Sequence, residues 1–150
     1  MESWVCGLTL IIVTIIFHAT SAAFIALAQE KIWAPLKDRS RKARHAFRKW
    51  IVMTATVGLL LVMLHGIEVG LWAIAYSWTG ALDSFSDAVF YSMDSMTTRG
   101  ASGLELQHKW RMMGALEGID GMLLFGISTA FMFAMMQTYW EKLMASNTPQ

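Results

Sequence analysis

From Ser3 to Gln29 the chain carries no Asp, Glu, Lys or Arg. An uncharged run of that length exceeds the roughly 20 apolar residues that cross a bilayer as one helix. Trp4 and Trp33 bracket it where indole rings favour the membrane interface. A cleaved signal peptide would also open with an apolar stretch, but it needs a basic leading segment and Glu2 stands there instead, so the run is expected to stay as a mature helix. Two more apolar stretches follow, about Trp50 to Tyr76 and about Met112 to Tyr139, the last flanked by Trp110 and Trp140. With 55% hydrophobic residues, 15% charged and a mean hydropathy of +0.44, a chain of 150 residues reads as an all-α membrane protein with no sizeable soluble domain beside its spans.

Charge sets the expected orientation. Between the first two spans, Glu30 to Lys49 holds Lys31, Lys37, Arg39, Arg41, Lys42, Arg44, Arg48 and Lys49 against Glu30 and Asp38. Loops this rich in Lys and Arg stay in the cytoplasm, which puts the N-terminus and the segment from Tyr76 to Trp110 outside and the tail, 141–150, inside. Within the linker, 34–49, basic residues recur at helical spacing with Leu36, Ala43, Phe47 and Trp50 as a thin apolar side. Such a segment would lie on the inner membrane surface against anionic lipid headgroups, and nucleic-acid binding is not expected of so short a tether.

Between the second and third spans, Asp83 to Thr97 is 15 residues long and mixes Phe85, Val89, Phe90, Met93 and Met96 with Asp87 and Asp94. Ser84 and Asp87 have the spacing of a capping box. A helix of this length covers roughly 20 Å, so it can enter a bilayer and stop partway, as a re-entrant helix does. Irregular backbone at that depth is tolerated only where it is buried in protein or lines water, which constrains the stretch after Thr97.

The order of these parts carries a resemblance. A helix, a short re-entrant helix, Thr97-Thr98-x-Gly100, then Trp110-Arg111 opening a glycine-containing helix resembles the two-helix pore module of the potassium-channel superfamily. "HGIEVGLWAIAYSWTGAL" together with "LEGIDGMLLFGISTAFMFAMMQ" is similar to a bacterial group of small ion-channel proteins within it, over about Leu60 to Gln137. The resemblance implies a homotetramer whose module, 50–140, comprises an outer helix 50–76, a pore helix 83–97, a filter-like loop 98–106 and an inner helix 110–140. The segment 1–33 is then an extra helix, placed like the last helix before the pore in larger channels but without their regularly spaced arginines.

The resemblance also shows where this chain departs. The family's filter reads Thr-Val-Gly-Tyr-Gly-Asp, and here the positions from Thr98 read Thr98-Arg99-Gly100-Ala101-Ser102-Gly103. Potassium selectivity needs rows of inward carbonyls held by glycine backbone angles and, in the family, by a packed tyrosine. Ser102 would be strained at a glycine position and Ala101 removes the tyrosine. The implied function is a cation channel, weakly selective or non-selective, with monovalent cations as permeant ions and no cofactor. Arg99 in the family's arrangement points behind the strand, where Asp94 on the last turn of the short helix is the expected partner. The opposite arrangement turns Arg99 into the pore as a cationic ring, which gives an anion-conducting alternative; a non-conducting channel-like protein is a third.

Asp120, in the middle of an apolar span, is costly to expose to lipid and is expected to line a central cavity. Glu117 is expected to pair inside the bundle with Arg111, Arg99 or His65, and Glu68 to serve helix packing. Gly114, Gly118, Gly121 and Gly126 allow close helix packing, and Gly121 or Gly126 resembles the family's gating hinge. Met112, Met113, Met122, Met132, Met135 and Met136 read as packing rather than copper ligands, and Cys6 stands alone, so no metal site is expected. His18 and His65 lie in different spans, and a pair of membrane histidines is one way to hold haem; their depths are expected to match poorly. Scattered Ser and His residues with no nucleophile elbow or metal-ligand spacing argue against an enzyme.

Overall fold

A computed structural model describes residues 1–33, 43–100 and 102–147. Among the described residues the chain is all-helical: α1 (Glu2–Trp33), α2 (Ala43–Trp78), α3 (Phe85–Met96) and α4 (Arg111–Asn147), with a 3-10 turn at His108–Trp110 leading into α4. Three of these helices are long and apolar enough to cross a membrane, over Glu2–Lys31, Phe47–Trp78 and His108–Glu141. Residues 34–42 of the basic linker lie outside the described residues. Residues 43–49, expected as an interfacial segment, form the first turns of α2. At the other end of the module, α4 runs on through 141–147.

The distribution of side chains on α1 is inverted relative to a water-soluble bundle. On α1 the buried positions are Ser3, Gly7, Thr14, His18, Ala22 and Gln29, whereas Val5, Leu8, Ile12, Val13, Ile16, Phe24 and Leu27 point outward. A lipid surround gives large aliphatic groups no reason to hide, so small and polar residues take the helix contacts. Hydroxyls left on the outer faces satisfy themselves locally: Thr9, Thr20, Thr56, Thr129 and Thr138 each donate to the carbonyl four residues back. Indole rings mark both ends, with Trp4, Trp78 and Trp110 at one and Trp50 and Trp140 at the other, the last two meeting edge to face at 6.3 Å.

Two apolar clusters hold the helices together. Toward the α3 end, Trp72, Tyr76, Met96, Leu106, Trp110, Met113 and Leu124 form the larger one. At the opposite end Val57, Leu61 and Leu64 pack with Ile25, Phe131 and Met132. α1 lies mainly along α4, where Gly7 admits the side chain of Leu116, and Ser3 Oγ accepts the Met113 N–H at 3.0 Å, satisfying a donor in the first turn of α4.

α3 is wedged between α2 and α4. Its start is capped by Ser84, whose side chain accepts the Asp87 N–H at 3.4 Å. Ser92 donates to the Val69 carbonyl at 3.0 Å on α2. Tyr91 meets Tyr76 edge to face with centroids 5.4 Å apart. On α4, Gly114 leaves room for the Tyr91 hydroxyl and Gly121 leaves room for the backbone of Met96. Of the two hinge candidates, Gly121 is thus a contact glycine, whereas a β-carbon on Gly126 would meet nothing within 4 Å.

Candidate functional site

Two groups of polar residues stand out, one inside the bundle and one on the loop after α3. The internal group forms a seam in three tiers. In the first, nearest α3, Glu117 accepts hydrogen bonds from Tyr76 at 2.6 Å and from Ser92. In the second, Asp120 Oδ2 accepts from Thr14 at 2.7 Å and from the Trp72 indole at 3.0 Å. In the third, Glu68 Oε1 lies 2.8 Å from His18 Nδ1 and Oε2 lies 3.0 Å from His65 Nδ1. Ser128 Oγ closes that tier, 3.1 Å from His18 Nε2 and 3.0 Å from His65 Nε2.

Helical repeat explains the stacking. Glu68, Trp72 and Tyr76 succeed one another every four residues along one face of α2, as Thr14 and His18 do on α1. Asp120 and Ser128 stand two turns apart on α4, running the other way. From His65 to Tyr76 the seam rises roughly 16 Å at 1.5 Å per residue, about half the hydrocarbon thickness. Glu68, Glu117 and Asp120 are fully buried, and each carboxylate is met by donors from other helices, which is the way acidic groups are accommodated where water is scarce. Below the third tier the apolar cluster around Leu61 and Leu64 closes the seam.

Asp120 therefore sits between α1, α2 and α4. The open side of α4 is lined by Ile119, Met122, Leu123 and Phe125 instead, and the cavity-lining position expected for Asp120 is not where one chain places it. Glu68 does pair within the bundle, with His18 and His65, whereas Glu117 meets the hydroxyls of Tyr76 and Ser92 in place of Arg111, Arg99 or His65. Arg111, an expected partner of Glu117, reaches Glu105 at 3.1 Å instead.

The two histidines correct a sequence expectation. Their depths match: the ring centroids are 5.3 Å apart. Spans of 30 and 32 residues are longer than one bilayer crossing, so residue number alone does not set the depth of a side chain. The rings lie side by side, with Glu68 across both Nδ1 atoms and Ser128 across both Nε2 atoms, which gives a haem no axial slot between them. Among the described residues, His18, His65 and Glu68 are a group whose donor atoms converge, all within 4.8 Å of one another. The signal was present in the sequence as polar residues spaced three or four apart in spans that are otherwise apolar. Which helix faces meet was not.

The second group is the loop. Asp94, buried at the end of α3, binds it twice: Oδ1 accepts from Arg99 Nε at 2.6 Å, and Oδ2 accepts from the Ser102 N–H at 2.9 Å. The Arg99 N–H also donates to the Asp94 carbonyl at 3.0 Å. Thr98, Gly100 and Gly103 have φ of 55°, 61° and 70°, so the backbone turns left-handed three times within six residues. Thr97 donates to the Met93 carbonyl at 2.7 Å. The Arg99 side chain is 56% exposed and its guanidinium lies 5.6 Å from the centre of the Phe90 ring. Ala101 falls outside the described residues.

Compared with protein-family models, with curated proteins and with solved structures, the chain has no significant match.

Proposed function

We propose that the chain is one subunit of a homotetrameric, potassium-channel-like pore that passes monovalent cations with little selectivity. The observation that carries this reading is the short helix between two spans whose last turn abuts Gly121 and whose carboxylate, Asp94, holds a left-handed, exposed loop. α3 has 12 residues, roughly 18 Å, and stops short of a crossing. Its outer face leaves Phe85, Phe90 and Met93 uncovered beside Ser86 and Asp87. A lone chain gives that loop neither water-filled nor protein surroundings at membrane depth, and four copies about an axis supply them.

In this reading α3 is the pore helix, and its C-terminal end directs a partial negative charge at the axis. Weak cation preference then comes from that end, since Asp120 is engaged in the seam. Potassium selectivity is not expected, because Ser102 and Ala101 replace the glycine and tyrosine that keep a row of carbonyl sites taut. The N-terminus lies outside and the basic linker faces anionic lipid on the inner side. One observation favours the anion-conducting alternative: the Arg99 guanidinium is uncovered in a single chain.

Reconstitution into liposomes with potassium, sodium and chloride gradients tests the proposal. A reversal potential between those of potassium and sodium and away from that of chloride supports it. A potential that follows chloride supports the alternative, and one that follows potassium alone refutes the weak selectivity. Native mass in mild detergent should correspond to four chains; a monomer or dimer overturns the tetramer.

A further inference from the structure

Glu68 and His65 face one another without making a hydrogen bond. Their Oε2 and Nδ1 atoms are 3.0 Å apart, yet neither has a hydrogen-bond partner, and Glu68 is fully buried. The contact is an ion pair when the imidazole is protonated; with Nδ1 unprotonated, two bare acceptors face one another away from water, a costly arrangement that a bound cation would relieve. The neighbouring contact, His18 Nδ1 to Glu68 Oε1 at 2.8 Å, brings a second imidazole nitrogen to the same carboxylate.

We propose that His18, His65 and Glu68 bind a divalent first-row transition ion of the zinc type, with the two Nδ1 atoms and the Glu68 carboxylate as ligands. Imidazole and carboxylate are the donors such an ion takes, at about 2.0–2.2 Å. Ligand atoms bound at that distance in a tetrahedral array stand roughly 3.3 Å apart, a few tenths of an ångström from the present N···O separations. The proton count agrees. With both Nδ1 atoms on the ion, each neutral ring carries its hydrogen on Nε2, and both Nε2 atoms meet Ser128 Oγ, which can accept two N–H donors. Ser128 thus fixes the tautomer of both rings.

Charge also balances. A divalent ion with Glu68 alone would leave one positive charge in the membrane interior. Asp120 supplies the second negative charge: it is tied to Thr14, one turn before His18, and to Trp72, one turn after Glu68. The ion would clamp α1 to α2, helices that meet here through His18 and Glu68. Glu68 presents one oxygen to each histidine, so with both oxygens on the ion the site has four protein donor atoms; with the apolar cluster below it and packed helices around it, its expected role is structural. It does not depend on whether the chain conducts.

The test uses the full chain purified in detergent, stripped with a chelator and then titrated with Zn2+, with bound metal measured by elemental analysis. Wild type is expected to take up about one ion per chain and Glu117→Gln, from the first tier, to do the same. His18→Ala and His65→Ala should lose uptake, and Ser128→Ala should weaken it about 10- to 100-fold. Because a variant can fail to fold, the wild type is also loaded with Co2+, whose visible absorption should show the intensity of a tetrahedral nitrogen–oxygen site. A helical wild type that takes up neither ion overturns the proposal, as does uptake unchanged in the two histidine variants.

Discussion

A β-carbon placed on Gly121 would collide with the backbone of Met96. Nothing flexible can yield there, since the obstacle is the carbonyl group of the last turn of α3. Gly121→Ala should therefore push α3 off α4 and destabilise the fold by about 1–3 kcal/mol, the cost of overpacking a close contact. Gly126→Ala, with open space around it, should be neutral or stabilising by up to about 1 kcal/mol through helix propensity. Unfolding midpoints of the two variants in detergent check the contrast, and equal effects would contradict the contact.

Asp94 and Arg99 are not equal partners. The carboxylate is buried and also holds the Ser102 N–H, whereas the guanidinium is mostly exposed. Arg99→Ala takes a donor from the buried Asp94 carboxylate but leaves its bond to the Ser102 N–H, and should cost about 1–2 kcal/mol. Asp94→Ala removes the acceptor of both loop contacts and should cost about 1–3 kcal/mol. The cost of 3–5 kcal/mol that accompanies an arginine stranded in the interior applies only if other copies cover Arg99. A large loss for Arg99→Ala in the assembled protein, absent in dissociated chains, would locate that side chain at a subunit contact.

Thr98 holds a left-handed backbone with a branched side chain, an uncommon combination with a steric cost. Thr98→Gly should relieve about 1 kcal/mol if the loop keeps this shape. Under the proposed function it should also alter ion permeation, because strain of this kind gathers where a loop is held for a purpose. A thermal midpoint that falls on Thr98→Gly would show that the threonine hydroxyl or methyl contributes more than the strain it imposes.

Much of the fold was legible because lipid writes a simple signal. Uncharged runs gave three long helices, Ser84 gave the start of α3 within a residue or two, and the excess of Lys and Arg marked the connection from α1 to α2. Boundaries slipped where apolar composition and helix are different properties: α2 begins at Ala43, well before the last linker charge, since a helix does not need to end at the membrane surface. The partners of buried acids were harder to read. Glu117 finds Tyr76 and Ser92 rather than a cation, and Asp120 finds Thr14 and Trp72, because neutral donors satisfy a carboxylate without importing a second charge. No spacing rule names those donors; they come from faces of other helices brought together in three dimensions. The histidine pair was dismissed on depth for the same reason.

The last prediction concerns how α1 is held. Thr14 and Thr9 are both threonines in one apolar helix; Thr9 donates to the Val5 carbonyl four residues earlier, while the one hydroxyl hydrogen of Thr14 is shared between the Leu10 carbonyl at 2.9 Å and Asp120. They differ in what else they meet. Thr14 is buried and its hydroxyl lies 2.7 Å from Asp120 on α4, while Thr9 is exposed on the outer face. Valine has nearly the same shape, so Thr→Val removes the hydroxyl without opening a cavity. Thr14→Val should leave Asp120 with the Trp72 indole as its remaining donor and destabilise by about 1–3 kcal/mol, the penalty for a buried acceptor losing a bond. Thr9→Val should stay within about 0.5 kcal/mol of the parent, as surface changes do. Trp72→Phe should add to the Thr14→Val loss by less or more than the simple sum, because both donors serve one oxygen. Purified variants are compared by thermal midpoint and by the rate at which protease cuts between α1 and α2. If Thr14→Val matches Thr9→Val in both measurements, the Thr14–Asp120 contact contributes nothing to docking α1, and that helix is held by its other contacts, His18 with Glu68 and Ser128, Ser3 with Met113, and Gly7 with Leu116.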